Sequence, residues 1–253
     1  MNISTAPKKE YLKFLLLRIL IRDCGEVHNL FKCCFQDQQL KPMDFSYPQH
    51  FFNLDASSLH LFFNEKKPVW EFLKTLEDYI LNQTLGKIHS PIPTSTSLIN
   101  DNLIMIGKDC KIGPFAVIEG PCIIQDHVEI GPHAYIRKGS YIDYSAKVGH
   151  CSEIKASILL PHSKTPHFNY VGDSILGSFV NLGAGVVCAN YKLTKGFVNI
   201  KYNNQIFATD LVKFGAIIGD HSFLGCNTVT SPGTLLKKQF QCLPCSNIYG
   251  AHL

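Results

Sequence analysis

Residues 106–124 read Ile106-Gly-Lys-Asp-Cys-Lys-Ile112-Gly-Pro-Phe-Ala-Val-Ile118-Glu-Gly-Pro-Cys-Ile-Ile124. A branched or apolar residue returns at every sixth position, and the series runs on through Ile130, Ile136, Ile142, Val148, Ile154 and Leu160. Two places before each, a small side chain is common: Cys110, Ala116, Cys122, Ala134, Ser140, Ala146 and Ser152. Glycine often follows directly, as at Gly107, Gly113, Gly131 and Gly149. A period of six matches neither the helical period nor the alternation of an ordinary strand. It is the mark of a parallel β-helix, in which short strands meet at tight corners and about 18 residues complete a three-sided coil. The branched residue suits the pleated interior. The glycine tolerates the corner's backbone, and coils stack at the strand spacing of ~4.8 Å.

Beyond Leu160 the register shifts and resumes at Val171, Leu176 and Leu182. It breaks again from Tyr191 to Phe214, and restarts at Ile218 and Leu224 toward Thr230, Leu236 and Cys242. Such breaks must loop out of the prism, and loops on rigid scaffolds carry function. Upstream, residues 1–95 have a different texture. Tyr11, Leu15, Arg18 and Ile19 follow a helical period, as do Trp70, Phe72, Leu73, Leu76 and Ile80, with Pro68 read as opening the second helix. Pro48 to Leu61 reads as one or two strands, and residues 84–100, with Pro91 and Pro93, as a linker. The expected division is a mainly helical region at 1–95 and a β-helix domain at 96–253.

Charged residues make up only 17% and hydrophobic ones 45%, which favours a buried, regular fold over disorder. The net charge of +4 suits an anionic small substrate, and the scattered basic residues give no nucleic-acid footprint. Ten cysteines occur, several inside apolar repeat positions, so reduced structural thiols and a cytoplasmic location are expected. Tyr11 to Ile21 is apolar but too short for a bilayer and interrupted by Lys13 and Arg18. Neither a membrane nor a signal peptide is expected. No His/Cys/Asp cluster has metal-ligand spacing.

The informative stretch is His162 to Tyr191, which opens at a register break and holds His167, Tyr170, Asn181 and Asn190. An imidazole, a phenol and two amides on neighbouring coils suit a small-molecule site. Arg137 and Lys155 each directly follow a lattice residue and stand 18 positions apart, one full coil. Stacked on one edge they would clamp a phosphate; as solvated edge charges they would do nothing.

The order His167, Tyr170, Gly172-Asp173, Asn181-Leu-Gly-Ala184-Gly185, Asn190-Tyr191, followed by Lys213 to Asp220, resembles the acetyltransferase domain of the bifunctional bacterial uridyltransferase/glucosamine-1-phosphate acetyltransferases. It is closer still to archaeal-type sugar-1-phosphate nucleotidyltransferases with that tail. The resemblance covers roughly residues 100–235. It implies an all-β left-handed parallel β-helix of hexapeptide repeats, behind the small, mainly helical N-terminal α/β region. It implies transfer of an acetyl group from acetyl-CoA to an amino-sugar phosphate, without a metal, in a homotrimer that makes UDP-N-acetylglucosamine precursors. By the same resemblance His167 is the general base, and Arg137, Lys155, Tyr170 and Asn181 hold the sugar phosphate. Ala184, Asn190, Tyr191 and Cys226 hold acetyl-CoA, with Cys226 standing where the bacterial enzymes have Ser.

Two departures shape the expectation. Residues 1–95 contain no Gly-rich phosphate loop and are too few for a nucleotidyltransferase domain, so uridyl transfer is not expected. The chain also stops before the late Arg that meets the CoA phosphate in the bacterial family. Two other readings compete: a hexapeptide acyltransferase on another substrate, and a non-catalytic scaffold that binds sugar nucleotide or protein.

Overall fold

The computed structural model describes residues 44–253 apart from 56, 64 and 65; the helical pattern at Tyr11 to Ile19 lies outside the described residues. Contacts divide the chain into Met1–Asp44 and Phe45–Leu253, and the second unit carries the elements that follow. Its frame is a left-handed parallel β-helix of about nine turns. Three parallel sheets of nine, eight and seven strands form the prism's faces. The interior is a single column of Ile, Val, Leu and small residues, among them Ile106, Ile112, Ile118, Ile124, Ile130, Ile136, Ile142, Val148 and Ile154.

The pairing register shows where the repeat changes. Ile136 pairs with Ile154, 18 positions on, but Ile142 pairs with Leu159, only 17 on. The corner at Ala156 and Ser157 is one residue shorter than the corner below it. Leu159 therefore takes the inward position in the core column, and the reading of Leu160 as the tenth lattice residue is corrected. Thr165 follows, paired with Val148, and the same short corner recurs between Val171 and Leu176. Left-handed corners suit Asn, Asp and His better than most residues. They hold Asp109, His127, His133, His162, Asp173, His221 and Asn227, all at positive φ.

The prism starts earlier than residue 96. Lys87–Ile88 pairs with Met105 and Ile106, and Ser97–Ile99 pairs with Val117 to Glu119. The stretch read as a linker thus forms the first coil; its prolines lie between these strands, where no ladder bond is required. Pro48 to Leu61 contains a helix, α1 (Pro48–Phe51), followed by turns, instead of strands. A second helix, α2 (Glu71–Leu81), carries Phe72, Leu73, Leu76 and Ile80 of the expected period, with Phe72, Leu76 and Ile80 buried and Trp70 standing at its N-cap. Pro68 stands ahead of it; its carbonyl accepts the Glu71 N–H at 2.9 Å.

These N-terminal elements cover the nine-stranded face. That face turns a continuous apolar row outward, and Ile123, Tyr141, Ile158, Ile175, Ile217 and Leu235 are all buried; α2 packs on the strand of Tyr141, whose ring lies 6.3 Å from Tyr79. Each such side chain contributes roughly 1.5–3 kcal/mol when fully buried. The outward rows of the other two faces are mixed: Lys111, Glu129, Lys147, Lys164, Asn181 and Phe223 on one, and Val117, Tyr135, Glu153, Tyr170, Val187 and Val229 on the other. Between the strands Val187–Cys188 and Ala216–Ile218 the chain leaves the prism as an antiparallel hairpin, Asn199–Tyr202 with Gln205–Ala208. Its neck is closed by a bridge between Tyr191 and Lys213.

Candidate active site

The corner joining the eight-stranded to the nine-stranded face gathers the charged groups. Arg137 and Lys155 each lie one residue past the paired Ile136 and Ile154, so both project from that corner, one coil apart. The expected stacking is present at the backbone. Both cations already have partners. Arg137 donates to Glu153 Oε1 at 2.9 Å, and its guanidinium lies 5.6 Å from the centre of the Tyr135 ring. The Tyr135 hydroxyl donates to Glu119 Oε2 at 3.0 Å. Lys155 Nζ donates to both oxygens of Asp173, at 3.0 and 2.8 Å, with only 18% and 15% of the two side chains exposed. Asn190 Nδ2 donates to the same carboxylate.

Tyr170 stands beside this cluster. It pairs with Glu153 on one side and Val187 on the other, in the outward row that also contains Tyr135. Burial pushes its phenol pKa up, helped by the nearby Glu153 and Asp173 carboxylates. Gly172 makes room here, because a Cβ would stand 2.6 Å from the Tyr170 hydroxyl and 2.7 Å from Asn190 Nδ2. The structure therefore brings together Arg137, Lys155, Tyr170 and Asn190.

His167 lies at the opposite edge of the same face. It ends the strand Lys164–His167, pairs with His150, and its backbone N–H donates to Asn169 Oδ1 at 3.1 Å. Two or three residues of strand separate this corner from the Lys155 corner, about 7–10 Å at a strand's rise. Carrying the register past Lys164–Asn181 and Leu182–Leu224 places Ala184 over His167 and Cys226 over Ala184. His167 also borders a groove of about 320 Å³ on the seven-stranded face, lined by Lys111, Glu129, Lys147, His150 and Pro166. Asn181 belongs to that face, paired with Lys164 and Phe223, and is set apart from Arg137 and Lys155. Tyr191 is 55% exposed at the hairpin's neck.

Sequence reasoning missed Asp173, Glu153, Glu119 and Tyr135 as members of this cluster. The signal was present: each cation has a carboxylate about one coil away or two residues before it. His133 and His221 are exposed and His162 half-buried, and all three stack on rings along the corners. His133 lies over Phe115, and His162 and His221 flank Phe179, at ring separations of 4.7 to 5.2 Å. Among the described residues no group of three or more His, Cys, Asp or Glu is placed to hold a metal ion, and no helix is long and apolar enough to cross a membrane.

The family model described as "Bacterial transferase hexapeptide (six repeats)" matches residues 104–138. The bifunctional sugar-1-phosphate nucleotidylyltransferase/acetyltransferase of Sulfurisphaera tokodaii is 32% identical over 158 residues, covering 62% of this chain and 38% of that protein. The bifunctional protein GlmU of Methanococcus vannielii is 34% identical over 175 residues, covering 69% and 41%. The chain is homologous to the acetyltransferase region of these bifunctional enzymes. It spans between 24% and 41% of the length of such curated relatives. A hexapeptide transferase family protein from Anaplasma phagocytophilum, of known structure, aligns at a TM-score of 0.38 with 13% identity, covering 62% of this chain and 74% of that one.

Proposed function

We propose that this chain is an acetyl-CoA-dependent N-acetyltransferase acting on an amino-sugar 1-phosphate, glucosamine 1-phosphate in the first instance. The observation that carries the reading is the eight-stranded face: Arg137, Lys155 and Asn190 stand at one edge, His167 at the other, and Tyr170 in the outward row between them. Arg137 and Lys155 bind the phosphate, and Tyr170 and Asn181 hold the sugar. Ala184, Asn190, Tyr191 and Cys226 hold acetyl-CoA. Ala184 and Cys226 are small residues stacked on the His167 corner, which leaves space for a thioester beside the imidazole.

The sugar amine must be neutral to attack a thioester carbonyl. His167 accepts a proton from the attacking nitrogen, a role suited to an imidazole near neutral pH. The C–N bond forms, the C–S bond breaks, and the thiolate of CoA leaves and is protonated. Backbone N–H groups at the corner stabilise the developing oxyanion. No covalent enzyme intermediate and no metal is required.

Asn181 lies on a different face from Arg137. This supports a site completed between neighbouring prisms, and hence a homotrimer in which one subunit supplies the phosphate edge and the next closes the donor side. A cytoplasmic location and a place in UDP-N-acetylglucosamine formation accompany the proposal, with nucleotidyl transfer left to another domain or protein.

Thiol release from acetyl-CoA, with and without glucosamine 1-phosphate, tests the reading. Acceptor-dependent release with formation of the N-acetylated product supports it. Release with a different amino sugar only would favour an acyltransferase on another substrate. No turnover with any amino-sugar phosphate would leave the non-catalytic scaffold standing.

A further inference from the structure

Lys155 is the most enclosed cation of the site, and it is bound through both oxygens of Asp173, one coil above. The same carboxylate accepts from Asn190, at the foot of the hairpin excursion. Its backbone reaches the other foot: the Gly215 N–H donates to the Asp173 carbonyl at 2.8 Å, and the Phe214 N–H donates to Asn190 at 2.9 Å. Asp173 holds this place with a left-handed backbone, φ +46°. One residue thus ties the cation proposed for the phosphate to the amide proposed for the acyl donor.

We infer that Asp173 is a positioning residue that acts as an internal counter-ion, competing with the substrate's phosphate for Lys155 while holding Lys155 and Asn190 in register. This deepens the proposed function and rests on it for the identity of the ligand. An ion pair this enclosed makes Lys155 a poor site for weak anions. A doubly charged phosphate, helped by Arg137, takes the place of Oδ1 on Lys155 because charge-assisted bonds to phosphate are strong and numerous, while Oδ2 keeps joining Lys155 to Asn190. Removing the carboxylate therefore has two opposite effects. Phosphate gains an uncontested cation, and the reaction loses the alignment of its two half-sites.

The test uses the whole chain with Asp173→Asn and Asp173→Gly, two residues that accept a left-handed backbone. Inorganic phosphate is the probe, followed by calorimetry, with kcat and KM for glucosamine 1-phosphate measured alongside and thermal unfolding as a check on folding. Both variants are expected to bind phosphate at least threefold more tightly than wild type while kcat falls at least tenfold. A merely structural role would instead weaken phosphate binding and raise KM. Phosphate affinity equal to or below that of wild type in the variants that fold, or no phosphate binding at all, overturns the inference. So does loss of folding in both variants, which would make Asp173 a structural residue. Wild-type protein that binds phosphate but transfers no acetyl group would sink the proposed function and leave the counter-ion competition intact.

Discussion

The Ser57 hydroxyl donates to Asp143 Oδ2 at 2.7 Å, joining residues 86 positions apart in the chain. Ser58 donates to the other oxygen at 3.0 Å, and the Tyr144 N–H to that same oxygen at 2.8 Å. A carboxylate on the prism thereby fastens the layer that covers its apolar face. Asp220 repeats the device, accepting from the Asn53 N–H at 2.5 Å and the Ser178 N–H at 2.7 Å.

Burial pushes the Asp143 carboxyl above its ordinary pKa, against the lowering effect of its hydrogen bonds. Folding therefore favours the neutral form relative to the unfolded chain. This contribution to stability is complete below the unfolded value of ~3.9 and is lost as pH rises through the folded value. Asp143→Asn, neutral at every pH, should match or exceed wild type in urea stability at pH 7, with the difference closing toward pH 4. Asp143→Leu should be destabilised by ~1–3 kcal/mol at both pH values, because Ser57 and Ser58 lose their acceptor. Equal losses for Asn and Leu at pH 7 would show that the ionised carboxylate itself is required.

The thiols should divide by environment. Burial pushes Cys122 and Cys188 up to about 12, while Cys151, Cys226 and Cys245 are exposed. Thiolate is the reactive form. Iodoacetamide at pH 8 should modify the three exposed residues in the native protein and reach Cys122 and Cys188 only after denaturation, as read by peptide mass mapping. Native modification of Cys188 would contradict the sealed interior.

Gly172→Ala should separate site from fold. The added methyl meets the ends of two side chains, Tyr170 and Asn190, which can swing away. The expected outcome is a tenfold or greater loss of acetyl transfer with a thermal midpoint within a few degrees of wild type. Gly149→Ala is the contrasting case, since its methyl would collide with the backbone of Pro166. It should lower the midpoint sharply.

The prism was legible because its interior obeys one steric rule, a branched residue every sixth position. The rule hid what does not alter that spacing by much. A corner one residue shorter moved the lattice from Leu160 to Leu159, and both are buried leucines, so the sequence pattern alone looked unbroken. The covered face had a signal that went unread: apolar doublets such as Ile123-Ile124, Tyr141-Ile142, Ile158-Leu159 and Ile217-Ile218 mark strands buried on both sides. Lys87–Ile88 is too short and too exposed to announce a strand. Within the site, the adjacency of Arg137 and Lys155 followed from a coil of 18 residues. The pairing of Lys155 with Asp173 depends on the next coil having 17, which brings Gly172 beside Lys155 and Asp173 just past it.

In the proposed reaction His167 removes a proton from an amino-sugar phosphate during acetyl transfer. The most direct measurement is the rate of thiol release from acetyl-CoA with glucosamine 1-phosphate, for wild type and His167→Ala, across pH 5.5 to 9. Wild type is expected to turn over at a pH-dependent rate, and the variant to lose 100-fold or more of it with that dependence flattened. A variant that keeps wild-type turnover and the same pH profile would contradict this role of His167.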